Sequence, residues 1–367
     1  MKKAILLPRK FVQGRGVINE IGGYAAMLGK KAVVLWGERA KAAVSAQVTA
    51  SMAAAGVEFV ETKFCGETTK AEAERVAALA KGADLLIGIG GGKCIDAAKG
   101  AAIFAKLPHI IVPTVASNDA PTSACTVWYD DEGVCTGFDL WPANPDYILV
   151  DTDVIVQAPV RLFVAGIGDA VATWFEADIN RQSRAMTCSG GVATLTAMAM
   201  ARLCRDVILE DGLRAIADVQ AKAVTPAVDR VVEATTLLSG IGWESGGLAT
   251  AHQLANAFPA LEETHGFFHG EKVAFGLVCQ FCVDDAIDPD LVEDTVAFLV
   301  EAGLPVCFAD LNLQGVSEAR LREFAEAACG EGSFVGNHPN TITGADLYDA
   351  MVSADKLGQQ IKAQLSA

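Results

Sequence analysis

Ala83-Asp84-Leu85-Leu86-Ile87-Gly88-Ile89-Gly90-Gly91-Gly92-Lys93-Cys94-Ile95-Asp96-Ala97-Ala98-Lys99 reads as a buried strand, a triple-glycine turn and the start of a helix. Glycines let the backbone approach an anion closely, while unpaired N–H groups and the positive end of the helix dipole attract it. A pyrophosphate suits such a place. The run is not a P-loop, because Cys94 follows Gly92-Lys93 where Ser or Thr is required, and Ile87 stands where that pattern needs its first glycine. Counted from Gly88 it also departs from G-x-G-x-x-G, with Lys93 at the third glycine. Taken alone, the glycines also permit a tight turn with no ligand, the lesser of the two readings.

The flanking sequence repeats the same grammar. Ala32–Trp36, Val57–Thr62, Asp84–Ile89, His109–Val112 and Tyr147–Val150 are short β-branched runs, separated by helical stretches such as Thr68–Ala80 and Lys93–Lys106. Alternation of this kind predicts a parallel sheet covered by helices. Ser123–Tyr129 and Val134–Leu140 flank Asp130-Asp131-Glu132-Gly133, which predicts a β-hairpin on the rim of the sheet. The strand His109–Val112 runs into Pro113-Thr114-Val115-Ala116-Ser117-Asn118-Asp119-Ala120-Pro121, and ligands of open α/β sheets bind at such strand ends. Glu38, just after the first strand, is placed to accept bonds from a ribose and to repel a 2′-phosphate, which favours NAD over NADP.

After about residue 160 the strand signals stop. Gly191–Leu209, Thr225–Ile241 and Glu271–Ala286 are long Ala- and Leu-rich segments that predict helices, with Pro159 just before the change. The expected organisation is an α/β Rossmann-like parallel-sheet domain over 1–160 and an all-α domain over 161–367, a length at which one core ordinarily splits.

The net charge of −16 argues against nucleic acid, which is held by clustered Lys and Arg. No apolar run reaches the roughly 20 residues that span a bilayer, and Pro8 stops the short apolar start before it resembles a signal peptide. Ten irregularly spaced cysteines read as reduced, mostly buried thiols, which favours the cytoplasm. Cys279-Gln280-Phe281-Cys282 has a metal or redox spacing but no second such pair to complete a zinc site.

Three of the five histidines fall between His252 and His269. His252 follows Glu244-Ser245-Gly246-Gly247-Leu248 on what reads as one helix; His269 stands before Gly270-Glu271-Lys272 at a helix entrance, as does Asp169 in Gly166-Ile167-Gly168-Asp169-Ala170. A satisfied core histidine is the competing reading for His252. The separations match no local metal motif such as H-E-x-x-H, so spacing alone establishes no metal site.

Five pieces in this order resemble the metal-dependent, iron-containing alcohol dehydrogenases, along nearly the whole chain. They are Gly88–Lys93, Ala116–Pro121, Ala165–Ala170, Glu244–Leu248 and His269–Gly276. The resemblance implies a dehydroquinate synthase-like arrangement of the two domains, a cytoplasmic homo-oligomer, and Asp169, His252 and His269 as ligands of one divalent metal, preferably zinc. It implies further that Gly91, Gly92 and Lys93 hold the NAD pyrophosphate, with Asp96 among the cofactor-binding residues. Thr114, Ser117, Ser123, Cys125 and Tyr129 would line the nicotinamide pocket, and Asp119 would bond a substrate hydroxyl. Asn118 stands where the family expects Thr, and Thr122, Cys125, Trp36 and Glu38 also differ.

The implied reaction is NAD-dependent oxidation of glycerol, or a similar vicinal diol, to dihydroxyacetone. Coordination to the cation would stabilise the alkoxide, and the hydride would pass to nicotinamide. His265 is a candidate to carry the proton, since an imidazole titrates near neutrality. The rival on the same scaffold is a dehydrogenase of another small alcohol, a 2-hydroxy acid or a phosphorylated polyol. The absence of Lys and Arg between Arg230 and Lys272 disfavours a strongly anionic substrate. A silent NAD-binding protein is the rival from another class.

Overall fold

The computed structural model describes residues 1–283 and 287–366. Among these, the strands are β1 (Lys10–Gly14), β2 (Lys31–Trp36), β3 (Glu58–Lys63), β4 (Leu85–Gly90), β5 (His109–Pro113), β6 (Cys125–Tyr129), β7 (Cys135–Leu140) and β8 (Tyr147–Asp151). Six of them form one sheet in the order β1-β8-β5-β4-β2-β3, every pair parallel. β4 and β5 lie in its middle and are buried along their whole length, which is why they read as continuous apolar runs. β3, at an edge, is mostly polar.

The crossovers are α1 (Ile21–Leu28), α2 (Glu38–Ala54), α3 (Lys70–Leu79) and α4 (Gly92–Ala105), and the short α5 (Thr152–Ile155) follows the last strand, β8. Val34, Trp36, Ile87, Ile89 and Leu149 of the strands pack with Val44, Val48 and Met52 of α2 in one buried cluster. Thr69 caps α3 by accepting the Glu72 N–H, which satisfies one of the free donors at the helix start.

β6 and β7 pair antiparallel, as expected, with an irregularity between Trp128 and Tyr129. Their position is a correction. They form a separate two-stranded sheet rather than extending the rim of the large one. The hairpin lies on α4, where Trp128 comes so close to Gly100 that a Cβ there would stand 2.6 Å from its ring.

The later helices are α6 (Val160–Ser183), α7 (Leu195–Gln220), α8 (Pro226–Glu233), α9 (Ser239–Gly246), α10 (Thr250–Ala257), α11 (His269–Val283), α12 (Pro289–Glu301), α13 (Glu318–Ala328) and α14 (Gly344–Leu365). The expected segment Glu271–Ala286 is helical through Val283; its last residues lie outside the described ones. Between α8 and α9, residues Ala234–Leu238 make a π-helical turn. Among the described residues, no helix is long and apolar enough to cross a membrane.

The chain divides into two compact units. One holds Leu6–Phe163 with Ala217–Gly240; the other holds Met1–Ile5, Val164–Ile216 and Ile241–Ala367. The first is the sheet unit and the second is helical. The sheet unit keeps α8 through a bond from Gln13 Nε2 to the Asp229 carbonyl (2.7 Å).

Candidate functional site

In the helical unit, a carboxylate and two imidazoles converge. Asp169 Oδ1 lies 3.3 Å from His252 Nε2 and 3.5 Å from His269 Nε2, and one ligand atom from each residue falls within 4.8 Å of the others. Asp169 is 1 % and His252 5 % exposed, while the His269 side chain keeps an open edge at 37 %. Two donors each bonded at about 2.05 Å to a tetrahedral ion stand about 3.3 Å apart. The donor set therefore fits one small divalent cation with a position left open toward the His269 side.

Three elements position these groups. Asp169 is in the middle of α6, not at a helix entrance as its glycines suggested. His269 does begin α11, as expected. His252 is not on the helix of Glu244: α9 stops at Gly246, Gly247 takes φ +108°, and a new helix starts at Thr250. Gly247 has no room for a side chain either, because a Cβ would lie 2.3 Å from Asn180. The break turns the chain so that His252 sits on the third residue of α10.

α6 and α11 cross with their backbones in contact. A Cβ at Gly270 would stand 1.8 Å from the Ala165 carbonyl oxygen, and one at Gly168 would stand 2.5 Å from that of Gly270. This is why glycines precede Asp169 and follow His269. Gly270→Ala is expected to cost about 1–3 kcal/mol or more by overpacking. Gly266→Ala, where nothing lies within 4 Å of the new Cβ, should be near neutral. Equal urea midpoints for the two variants would refute this account of the crossing.

Glu176 was not singled out from the sequence. It is fully buried, and its Oε1 accepts from the backbone N–H groups of Ala249 (2.8 Å) and His252 (2.9 Å), while Oε2 bonds His252 Nδ1. The signal was present: Asp169 and Glu176 are seven residues apart, two turns on one face of an otherwise apolar helix stretch. Burial opposes charge on His252, but Glu176 and Asp169 outweigh it and hold the imidazole well above its ordinary value. Burial pushes His269 the other way, with His252 and Lys272 reinforcing the fall against Asp169.

In the sheet unit, β4 ends at Gly90, Gly91 occupies the N-cap and α4 begins at Gly92. This is the strand, turn and helix start expected of an anion cradle. A Cβ at Gly92 would meet the Asn118 amide at 2.5 Å, so the glycine and the loop after β5 are fitted to each other. The Thr114 N–H donates to the Gly90 carbonyl (3.0 Å), joining the two strand ends. Lys93 is exposed, paired with Glu67 at 2.5 Å, with its Nζ 4.6 Å from the Tyr129 ring centroid. Glu38 is exposed and 3.2 Å from Lys63 Nζ. Ser117 is half-buried, and Ser123 and Cys125 are buried.

Asp96 is turned inward. It pairs with Lys99 Nζ at 2.8 Å, and its other oxygen accepts the Val127 N–H. Lys99 also reaches the carbonyls of Ala120 (2.8 Å) and Ser123 (3.2 Å), so α4 fastens the loop that follows Asp119. Asp119 Oδ2 accepts from Ser239 Oγ at 3.3 Å, and Thr122 Oγ1 donates to the Thr236 carbonyl inside the π-helical turn. His265 is exposed and its Nε2 donates to the Pro259 carbonyl at 2.9 Å. His338, buried, shares a 2.8 Å bond with Thr250 Oγ1 at the start of α10, and His109 is buried in β5. Cys279 is buried and Cys282 half-buried, both as free thiols.

A glycine cradle at the end of a parallel strand in one unit, and a carboxylate–imidazole cluster in a helical one, are the features of a family of metal-dependent oxidoreductases. Residues 8–152 match the model of the iron-containing alcohol dehydrogenases, and the chain belongs to that family. A glycerol dehydrogenase of Pseudomonas putida is 41 % identical over 98 % of this chain and 99 % of its own length. The crystal structure of a probable glycerol dehydrogenase from Sinorhizobium meliloti 1021 superposes with a TM-score of 0.92 at 40 % identity, covering 98 % of this chain and all of that one. A glycolaldehyde reductase of Halobacterium salinarum is 39 % identical over 97 % of this chain and 98 % of its own length.

Proposed function

We propose that the protein is an NAD-dependent dehydrogenase that oxidises the secondary hydroxyl of glycerol, or of a similar vicinal diol, giving dihydroxyacetone. The observation that carries this reading is the donor triplet of Asp169, His252 and His269 at separations suited to one ion. These residues would hold one divalent cation, zinc in this proposal, which would supply the positive charge that stabilises an alkoxide for hydride transfer to nicotinamide.

The chain's own residues do the rest. Asp169 and the two imidazoles would hold the ion, and the exposed edge of His269 would admit the substrate. Gly91, Gly92 and the first N–H groups of α4 receive the pyrophosphate, since that backbone is free of side chains and ends a helix dipole. Thr114, Ser117, Ser123, Cys125 and Tyr129 are proposed around the nicotinamide. Glu38 selects against a 2′-phosphate by like charge. Asp119, steadied by Ser239, accepts a bond from the second hydroxyl of a diol, which orients it. A neutral substrate agrees with the lack of Lys and Arg between Arg230 and Lys272.

The test is NADH formation by zinc-loaded protein with glycerol, 1,2-propanediol, a 2-hydroxy acid and a monohydric alcohol, each repeated after chelation. Diol oxidation that chelation abolishes and zinc restores is the expected result. Chelator-resistant turnover would overturn the metal assignment. The likeness to a glycolaldehyde reductase favours a second reading, reduction of a small hydroxyaldehyde by the same site. Faster NADH consumption with glycolaldehyde than with dihydroxyacetone would select it.

A further inference from the structure

We propose that Glu176 sets the tautomer of His252, and that this one buried carboxylate fixes both the ring proton and the backbone turn on which the ring sits. The inference rests on reading Asp169, His252 and His269 as the metal-holding set.

An ionised carboxylate only accepts hydrogen bonds. Glu176 Oε2 is bonded to His252 Nδ1, so the proton of the neutral ring belongs on Nδ1 and the lone pair is left on Nε2. That atom is the one turned toward Asp169, 3.3 Å away. With the proton on the other nitrogen, the same ring in the same place would present N–H to the cluster and hold nothing. Carboxylates behind metal-binding imidazoles fix ring orientation and proton position in this way.

The second oxygen extends the control to the main chain. Oε1 accepts the N–H groups of Ala249 and His252, which lie at the start of α10 and have no carbonyl one turn earlier to take them. Glu176 thus does for α10 what a capping side chain does, but from another helix. Because Asp169 lies two turns earlier on α6, a single rigid element carries both a ligand and the group that aims the second ligand.

Glu176→Gln separates these tasks. The amide oxygen can keep both backbone bonds, so the metal-free variant should fold with a melting temperature near that of the parent. Its NH₂ then faces Nδ1, which must become an acceptor, and the ring proton moves to Nε2. Zinc affinity, read by competition with a chromophoric chelator, should fall about 10–100-fold. His252→Ala is measured beside it. If His252→Ala keeps full zinc affinity, the metal assignment itself is wrong and this inference falls with it. If His252→Ala loses zinc while Glu176→Gln binds as tightly as the parent, the metal assignment stands and the role of Glu176 is refuted.

The unaltered protein gives an independent check should Glu176→Gln fold poorly. Nitrogen-15 NMR of the zinc-loaded chain should show His252 protonated at Nδ1 with zinc on Nε2. Zinc on Nδ1 would overturn the proposal outright.

Discussion

Asp169→Asn should lower kcat/KM for glycerol by about three orders of magnitude, because a catalytic cation contributes several kcal/mol of charge stabilisation and about 1.4 kcal/mol is tenfold in rate. The carboxamide keeps the size of the side chain in the middle of α6, where Asp169 is 1 % exposed, so helix packing survives. What it loses is the only negative donor of the triplet. Two neutral imidazole nitrogens and an amide oxygen are a weak set for a divalent ion. Metal analysis of the purified variant should show zinc far below one ion per chain, while NADH binding stays near the parental value. A variant that keeps both its zinc and its turnover would show that Asp169 does neither job.

Lys99→Met should cost about 3–5 kcal/mol of stability, the loss typical of leaving one partner of a buried ion pair alone. Lys99 is 1 % and Asp96 6 % exposed, so neither charge has water to fall back on. The loss would be a large share of the 5–15 kcal/mol that ordinarily holds a domain together. Its pH dependence follows from Asp96. Burial already raises that carboxyl above its usual range, against the pull of Lys99 and the Val127 N–H, and removing Lys99 raises it further. The folded variant then binds a proton that the unfolded chain does not. Stability must fall as pH rises through the window between the ordinary carboxylate value and the raised one, and return on acidification. Urea unfolding at pH 5 and pH 8 should therefore show the larger deficit at pH 8. A deficit below about 1 kcal/mol, or one equal at both pH values, would rule out a buried ion pair of this weight.

The sheet was legible because its central strands are buried on both faces. β4 and β5 carry continuous apolar runs, the first ended by glycines and the second by Pro113. β1 was not anticipated. Lys10-Phe11-Val12-Gln13-Gly14 is a half-buried edge strand whose one partner, β8, lies more than 130 residues away, so nothing local announces it. The donor triplet was reached through family likeness, since three residues on three helices leave no period to read. The break at Gly247 was misread as continuous helix because two adjacent glycines look like close packing as readily as a turn. Glu176 went unseen for a related reason. One carboxylate in an apolar stretch looks like a helix's solvent edge until its partner, 76 positions on, is brought beside it.

The π-helical turn at Ala234–Leu238 acts as a phase setter. A helix advances by about 100° per residue, so one residue more or less in that turn rotates whatever follows by that angle. Ser239 follows at once, and its hydroxyl meets Asp119 only in the present phase. Shortening the turn to an ordinary helix would leave composition and hydrophobic content almost untouched while swinging Ser239 away from its carboxylate. The length of this turn, counted in single residues, is thus a variable separate from the side chains around the substrate.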